Sequence, residues 1–129
     1  MTPELARRIP GAPELIAWFG NFPSFHDGTV LEFALDLSRS GRLAIKAHRM
    51  NREVDDKGFF VLDKHCVVTF LLEDISRAEM EFDDAGIDIV FRFKIAEQGE
   101  GFAIDLETVN GCNAKLVLNT LSLGFEPQT

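Results

Sequence analysis

Apolar and polar positions divide the chain into a short helical beginning and a long strand-rich remainder. Residues 3–8 and 13–19 have helical spacing, with proline near the start of each segment and glycine after its end. In the second segment Leu15, Trp18 and Phe19 fall at i, i+3 and i+4, so they share one face. We expect that face to lie on a sheet.

From Thr29 onward the period changes to two, the period of a half-buried strand. The segments that we predict as strands are 29–38, 43–50, 59–72, 76–82, 87–95, 102–106 and 114–123. Their connections are too short for parallel crossovers. The pattern therefore predicts an α+β, strand-dominated fold of about seven mostly antiparallel strands in a meander, with one or two short N-terminal helices.

The same pattern makes finer predictions about individual segments. Residues 51–57 are charged and indicate a loop, whereas the apolar run 66–72 indicates a strand buried on both faces. Two segments alternate clearly, and each predicts one apolar face. Those apolar sets are Leu31, Phe33, Leu35 and Leu37 in the first strand, and Ile87, Ile89, Phe91, Phe93 and Ile95 in the fifth.

Length and charge narrow the functional classes. A chain of 129 residues with 46% hydrophobic residues fits a single domain over residues 1–129. The net charge is −8, and all the excess acid lies after residue 60. Because phosphate backbones are bound by Lys and Arg, this balance argues against a nucleic-acid partner and favours a basic protein partner. Negative charge that only maintains solubility is the alternative.

Neither a secretion signal nor a metal framework is indicated. No apolar run reaches the length of a signal-peptide core or a membrane span, so we expect a cytoplasmic protein without a membrane partner. Cys66 and Cys112 lie far apart and lack the spacing of zinc ligands, which favours reduced thiols and no metal cofactor.

The stretch from Trp18 to Asp27 holds one candidate for chemistry. His26 beside Asp27 has the groups of a metal site, or of a general base oriented by a carboxylate. Adjacent residues point in different directions, however, and the sequence supplies no third catalytic member. We therefore interpret Trp18, Phe25, His26 and Asp27 as a structural corner. The alternatives are a small metal-dependent enzyme or ligand-binding protein that uses His26-Asp27, and a barrel whose Phe-rich interior holds an apolar molecule.

A run of acids forms the second candidate. Between residues 73 and 88 Arg77 is the only base, and Glu79 and Glu81 share one strand face. A charged sheet edge that prevents aggregation is one interpretation, and a surface that meets a basic partner is the other. The candidate partner-binding residues are Glu73, Asp74, Glu79, Glu81, Asp83, Asp84 and Asp88.

The motifs also occur in a recognisable order. Trp18 precedes Phe25-His26-Asp27-Gly28 and an alternating strand, and residues 68–75, Met80-Glu81-Phe82 and a Gly-bounded hairpin around residues 102–106 follow. This order resembles the immunity protein 50 family, predicted antidotes of bacterial polymorphic-toxin systems that are small cytoplasmic α+β proteins. The resemblance implies a non-enzymatic protein that binds and neutralises a cognate toxin, and it carries over no catalytic residue or cofactor.

Overall fold

Two short helices precede six strands in the computed structural model, which describes residues 1–83 and 88–128. The elements are α1 (Pro3–Arg7), α2 (Ala12–Phe19), β1 (Thr29–Leu35), β2 (Gly41–Val54), β3 (Phe60–Glu81), β4 (Asp88–Gln98), β5 (Gly101–Thr108) and β6 (Asn113–Pro127). The predicted helices and the strand-dominated α+β class are confirmed. Within the described residues, neither helix is long and apolar enough to cross a membrane.

The strands form one closed barrel, hereafter the ring, in the order β1-β2-β3-β6-β5-β4. Every pair is antiparallel. Consecutive strands pair within β1–β3 and within β4–β6, whereas β3 pairs with β6 and β1 with β4. The chain thus forms two three-stranded meanders closed onto each other instead of the single meander predicted.

β3 combines two of the predicted strands. It runs for 22 residues and bends where Asp74 has a positive φ of 54° and the register with β6 shifts between Ile75 and Arg77. Counting its two halves separately gives the predicted number of about seven strands. The predicted loop 51–57 is wrong for residues 51–54, which belong to β2. The turn is confined to residues 55–59, where the Asp55 carboxylate accepts hydrogen bonds from two backbone N–H groups.

Two bulges overturn parts of the predicted alternation. The register shifts between Val30 and Glu32 in β1, and again between Val90 and Arg92 in β4. An extra residue in one strand reverses which side chains face inward. Leu31 and Phe91 are therefore exposed, contrary to the prediction, and Leu37 lies beyond the end of β1, fully exposed. Ile87 lies outside the described residues.

The apolar run in β3 is buried on one face only. Cys66, Val68, Phe70 and Leu72 point into the ring, whereas Leu71 is 46% exposed. The prediction of burial on both faces is wrong, because the helices cover one end of the ring and leave this part of its outside uncovered.

The two helices close one end of the ring, which we call the helix-covered end. Ile9, Leu15 and Phe19 are buried there against the core. The backbone approaches closely where Leu123 N–H donates to Pro10 O at 2.9 Å. Gly11 is required at this contact, because its φ is +94° and a Cβ would lie 1.8 Å from Leu123 O.

Candidate functional site

Residues 24–28 form a tight corner that joins β1 to β4. Phe25 and Asp27 both have positive φ, and Gly28 N–H donates to Phe25 O at 2.8 Å. Asp27 N–H donates to Val90 O and Val90 N–H donates to Gly28 O, so the corner extends the short β1–β4 pairing. The corner therefore helps to close the ring.

Phe25 anchors this corner in the core. Its ring is 3% exposed and packs edge-on against Phe22, Phe70 and Phe93 at centroid separations of 5.8, 5.7 and 5.2 Å. Such edge-to-face pairs are favourable beyond the area that they bury. The aromatic side chains occupy the interior at this point, which supports a filled core here over a cavity for an apolar ligand.

His26 and Asp27 lie on the outside of the corner. His26 Nδ1–H donates to Phe91 O at 2.9 Å, which leaves Nε2 3.5 Å from Asp27 Oδ1. The two side chains are 56% and 63% exposed. The hydrogen bond fixes the ring to β4, whereas a catalytic base needs a partly enclosed site in which to meet its substrate. This geometry supports the structural interpretation of both residues.

Trp18 packs elsewhere on the molecule. Its ring lies 5.4 Å from that of Phe125 on β6, and the Lys64 ammonium lies 4.9 Å from its centroid. Phe25, His26 and Asp27 instead contact β3 and β4, so the four predicted signature residues serve two separate contacts with the ring.

The predicted acidic residues that the structure describes do not form one patch. Glu73 is exposed beside β2, whereas Asp74 lies at the bend, 3.4 Å from Arg39 and hydrogen-bonded by Asn119 Nδ2 at 2.7 Å. Eight residues of strand separate Glu73 from Glu81, which corresponds to about 26 Å. Asp74 is already paired within the fold and is a weak candidate for partner binding.

Glu79 and Glu81 do share a face, as predicted, and they meet two further acids. A groove of about 240 Å³ on the outside of β3, β6 and β5 is lined by Glu79, Glu81, Asp105 and Glu107, together with Asn113, Ala114 and Lys115. We call it the acidic groove. Four carboxylates and one ammonium line the groove, so its lining is net negative, and Arg77 and Lys94 lie beside it.

Cross-strand register explains this composition. Lys115 lies opposite Glu79 on one side and opposite Asp105 on the other, so one base separates two acids. Lys94 is in turn opposite Asp105, and Arg77 forms an ion pair with Glu79. Opposite charges in register stabilise neighbouring strands. Glu79 and Asp105 therefore have structural partners, whereas Glu81 lies opposite the neutral Asn113.

The remaining predicted acids lie near the same end of the ring. Asp83 is exposed, and its side chain lies against Gly111 in the β5–β6 turn. Asp88 is half-buried at the start of β4, and its Oδ1 is buried without a hydrogen-bond partner. Asp84 lies outside the described residues. Among the described residues this end lies away from the helices, and we call it the open end; it carries Glu81, Asp83 and Glu107.

Both cysteines are free thiols, and their surroundings make them poorly reactive. Cys66 is fully buried, and burial raises the pKa of its thiol. Burial also raises the pKa of Cys112, with a further contribution from the nearby Asp88 carboxylate. Raised pKa values keep both thiols protonated and poorly nucleophilic near neutral pH.

Two of the three histidines come together, although their spacing along the chain does not predict it. The rings of His48 on β2 and His65 on β3 lie 5.8 Å apart. Among the described residues, no group of three or more His, Cys, Asp or Glu side chains is placed to hold a metal ion. The pair therefore offers two ligands at most, fewer than a stable transition-metal site needs.

Comparison with protein-family models, curated proteins and solved structures found no match to this chain.

Sequence reasoning missed Asp105 and Glu107. Their signal is present, because Phe102, Ile104 and Leu106 alternate with them and are buried, so the two acids face outward. The alternation does not predict that β3 pairs with β6. That pairing leaves only β6 between β5 and the two acids Glu79 and Glu81 on β3.

Proposed function

We propose that the chain is a non-enzymatic, immunity-type protein that binds and neutralises a basic toxin protein through the acidic groove and the adjoining open end. The groove carries this proposal. It gathers four carboxylates around one lysine on an exposed sheet face, and such a concentration of one charge attracts a basic surface and orients its approach.

Apolar side chains beside the groove complement its charge. Phe82 is 74% exposed at the end of β3, and Val109 is 64% exposed in the β5–β6 turn. Exposed aromatic residues ringed by charge are typical of protein-binding surfaces. Glu81, Asp83 and Glu107 provide the charged rim, so the open end combines the two components that a tight inhibitor requires.

The experiment measures binding between the purified chain and the protein encoded by the gene adjacent to its own. We expect association to be fast at low salt and to slow steeply as salt is raised. The double variant Glu81→Lys/Glu107→Lys should slow association by about tenfold or more. The matched control, Glu14→Lys/Glu100→Lys, makes the same change in net charge away from the groove and should keep the wild-type rate.

Two results would contradict this proposal. The first is a tight complex whose association rate is insensitive to both salt and the groove variants. The second is the absence of binding together with unchanged toxicity when the two genes are expressed in one cell.

A further inference from the structure

The β2–β3 hairpin extends beyond the ring as a two-stranded arm. β2 pairs with β1 only as far as Lys46, and β3 pairs with β6 only from Cys66 onward. Residues 49–63, which we call the arm, therefore have a strand neighbour on one side only. Two-stranded hairpins without further packing are marginally stable in water.

The polar side of the arm is tied to the helix-covered end. Arg49 donates to both Asp63 carboxylate oxygens, at 2.9 and 2.8 Å, and through Nη1 to Phe19 O at 3.1 Å. Asn51 Nδ2 donates to Asp63 as well, at 3.4 Å. These bonds fix the root of the arm against α2 and thus set which side of it is turned outward.

The outward side of the arm is apolar. Met50 pairs with Leu62 and Val54 with Phe60 on this side, and Phe59 lies in the connecting turn just before Phe60. The exposed fractions are 59% for Met50, 42% for Leu62, 57% for Val54, 59% for Phe60 and 67% for Phe59. A contiguous apolar surface of this kind marks an interaction site, and unpaired strand edges beside it invite aggregation unless they are covered.

The charge distribution favours a second copy of the chain as the partner that covers the apolar side of the arm. The whole chain carries −8, so two copies repel each other over most of their surfaces. Residues 48–65, in contrast, are balanced. The acids are Glu53, Asp55, Asp56 and Asp63, and the bases are Arg49, Arg52, Lys57 and Lys64. Two copies meet here without the repulsion between like charges that they meet elsewhere.

The exposed area suits a weak dimer. The four paired side chains, at about half exposure, present on the order of 100 Å² each. Two copies facing each other then bury roughly 800 Å² in total, which is in the range of weak, concentration-dependent interfaces.

We infer that the arm is a self-association surface, in which two copies pack their Met50–Leu62 and Val54–Phe60 pairs together about a two-fold axis. Such an isologous contact is the commonest route to a dimer. It lies away from the acidic groove, so both copies keep that groove open to a different partner.

The test is sedimentation equilibrium of the full chain over a range of concentrations. We expect the mass to rise from 14.4 kDa toward twice that value. Phe60→Asp should raise the dimer dissociation constant by about 30-fold or more, because it places a charge within the apolar contact. Leu37→Asp, at a fully exposed leucine in the β1–β2 connection, is the matched control and should dimerise like wild type.

A second pair of variants separates loss of the contact from loss of the fold. Phe60→Asp and Phe60→Lys should each be monomeric alone and should form a mixed dimer when combined, because opposite charges then face each other. A wild-type mass that stays at 14.4 kDa up to about millimolar concentration, where even a weak dimer would form, would overturn the inference. A dimer unaffected by Phe60→Asp would overturn it equally.

Discussion

Gly28 lies where two stretches of backbone converge on one Cα. A Cβ at this position would be 2.8 Å from Lys46 O and 2.9 Å from Phe25 O. Both atoms belong to the backbone, so neither can rotate away. The sequence marks Gly28 as the end of the Phe-His-Asp motif, but only the fold shows that the absent side chain is what lets β2 approach the corner.

Gly28→Ala should therefore destabilise the protein by about 1–3 kcal/mol, the usual cost of forcing atoms into a packed site. Urea unfolding at neutral pH measures this. Gly124→Ala is the control, because nothing lies within 4 Å of its Cβ position, and its unfolding free energy should stay near that of wild type. Equal effects in the two variants would show that the close contact at Gly28 is not costly.

The Arg49–Asp63 pair gives a pH dependence of known sign. The hydrogen bonds from Arg49 hold the pKa of Asp63 below its ordinary value. Because the pKa is lower in the folded state, the pair stabilises the fold above the unfolded pKa of about 4. That stabilisation is lost as the pH falls through the lower folded pKa.

Asp63→Asn should accordingly show a shallower loss of unfolding free energy than wild type between about pH 5 and pH 2. Urea melts across that range test it. Arg49→Gln removes the same interaction and should flatten the profile in the same way. If the unfolding free energy of both variants falls with pH as steeply as that of wild type, the pair contributes nothing to acid sensitivity.

At the scale of elements, local sequence signals predict where helices and strands begin and end, but they do not predict the register between strands. Proline and glycine fixed the ends of α2, and Gly20 does end it with a left-handed φ of 106°. The bulges in β1 and β4 left no comparable signal. Each bulge adds one residue to its strand and so reverses which side chains face inward. Leu31 and Phe91 are therefore exposed, whereas the alternation predicts them on the apolar face.

We interpret the corner between α2 and β1 as structural, and on that interpretation its residues should differ sharply in their contribution to stability. Phe25→Ala should cost about 3–5 kcal/mol, because it empties a site among buried rings. His26→Ala should cost only about 1 kcal/mol, the value of one hydrogen bond. Phe82→Ala, at an exposed phenylalanine away from the corner, is the matched control for Phe25 and should change stability little.

Thermal or urea unfolding of the three variants provides the measurement. If His26→Ala loses as much unfolding free energy as Phe25→Ala, the histidine contributes as much to the stability of the corner as the buried ring does. A wild type that is stabilised by added zinc, when His26→Ala is not, would point instead to a metal role for His26.

At the scale of the whole molecule, strand order was not predictable from the sequence. Periodicity states which residues face inward along each strand, but not which strands are neighbours. The β3–β6 and β1–β4 pairs join residues far apart in sequence. The acidic groove depends on the first of these pairs, so the sequence could supply its acids on β3 but not their position beside those of β5.

A ring built from such distant contacts should unfold as one unit. Trp18, the single tryptophan, packs on Phe125 of β6 and reports on the docking of α2. We expect its fluorescence and the far-ultraviolet circular dichroism to change at the same urea concentration. A fluorescence transition at clearly lower urea would show that the helices detach before the sheet unfolds.

The pairing between β1 and β4 has a consequence for motion. Among the described residues it joins Thr29 with Ile89 and Val30 with Asp88, whereas β3 and β6 are paired over 14 positions. Local opening should begin at this narrow seam, with the amide protons of Asp27 and Val90 exchanging with solvent sooner than those in the middle of β6. An opened seam would expose two complementary strand edges, which gives neighbouring molecules a route to exchange strands.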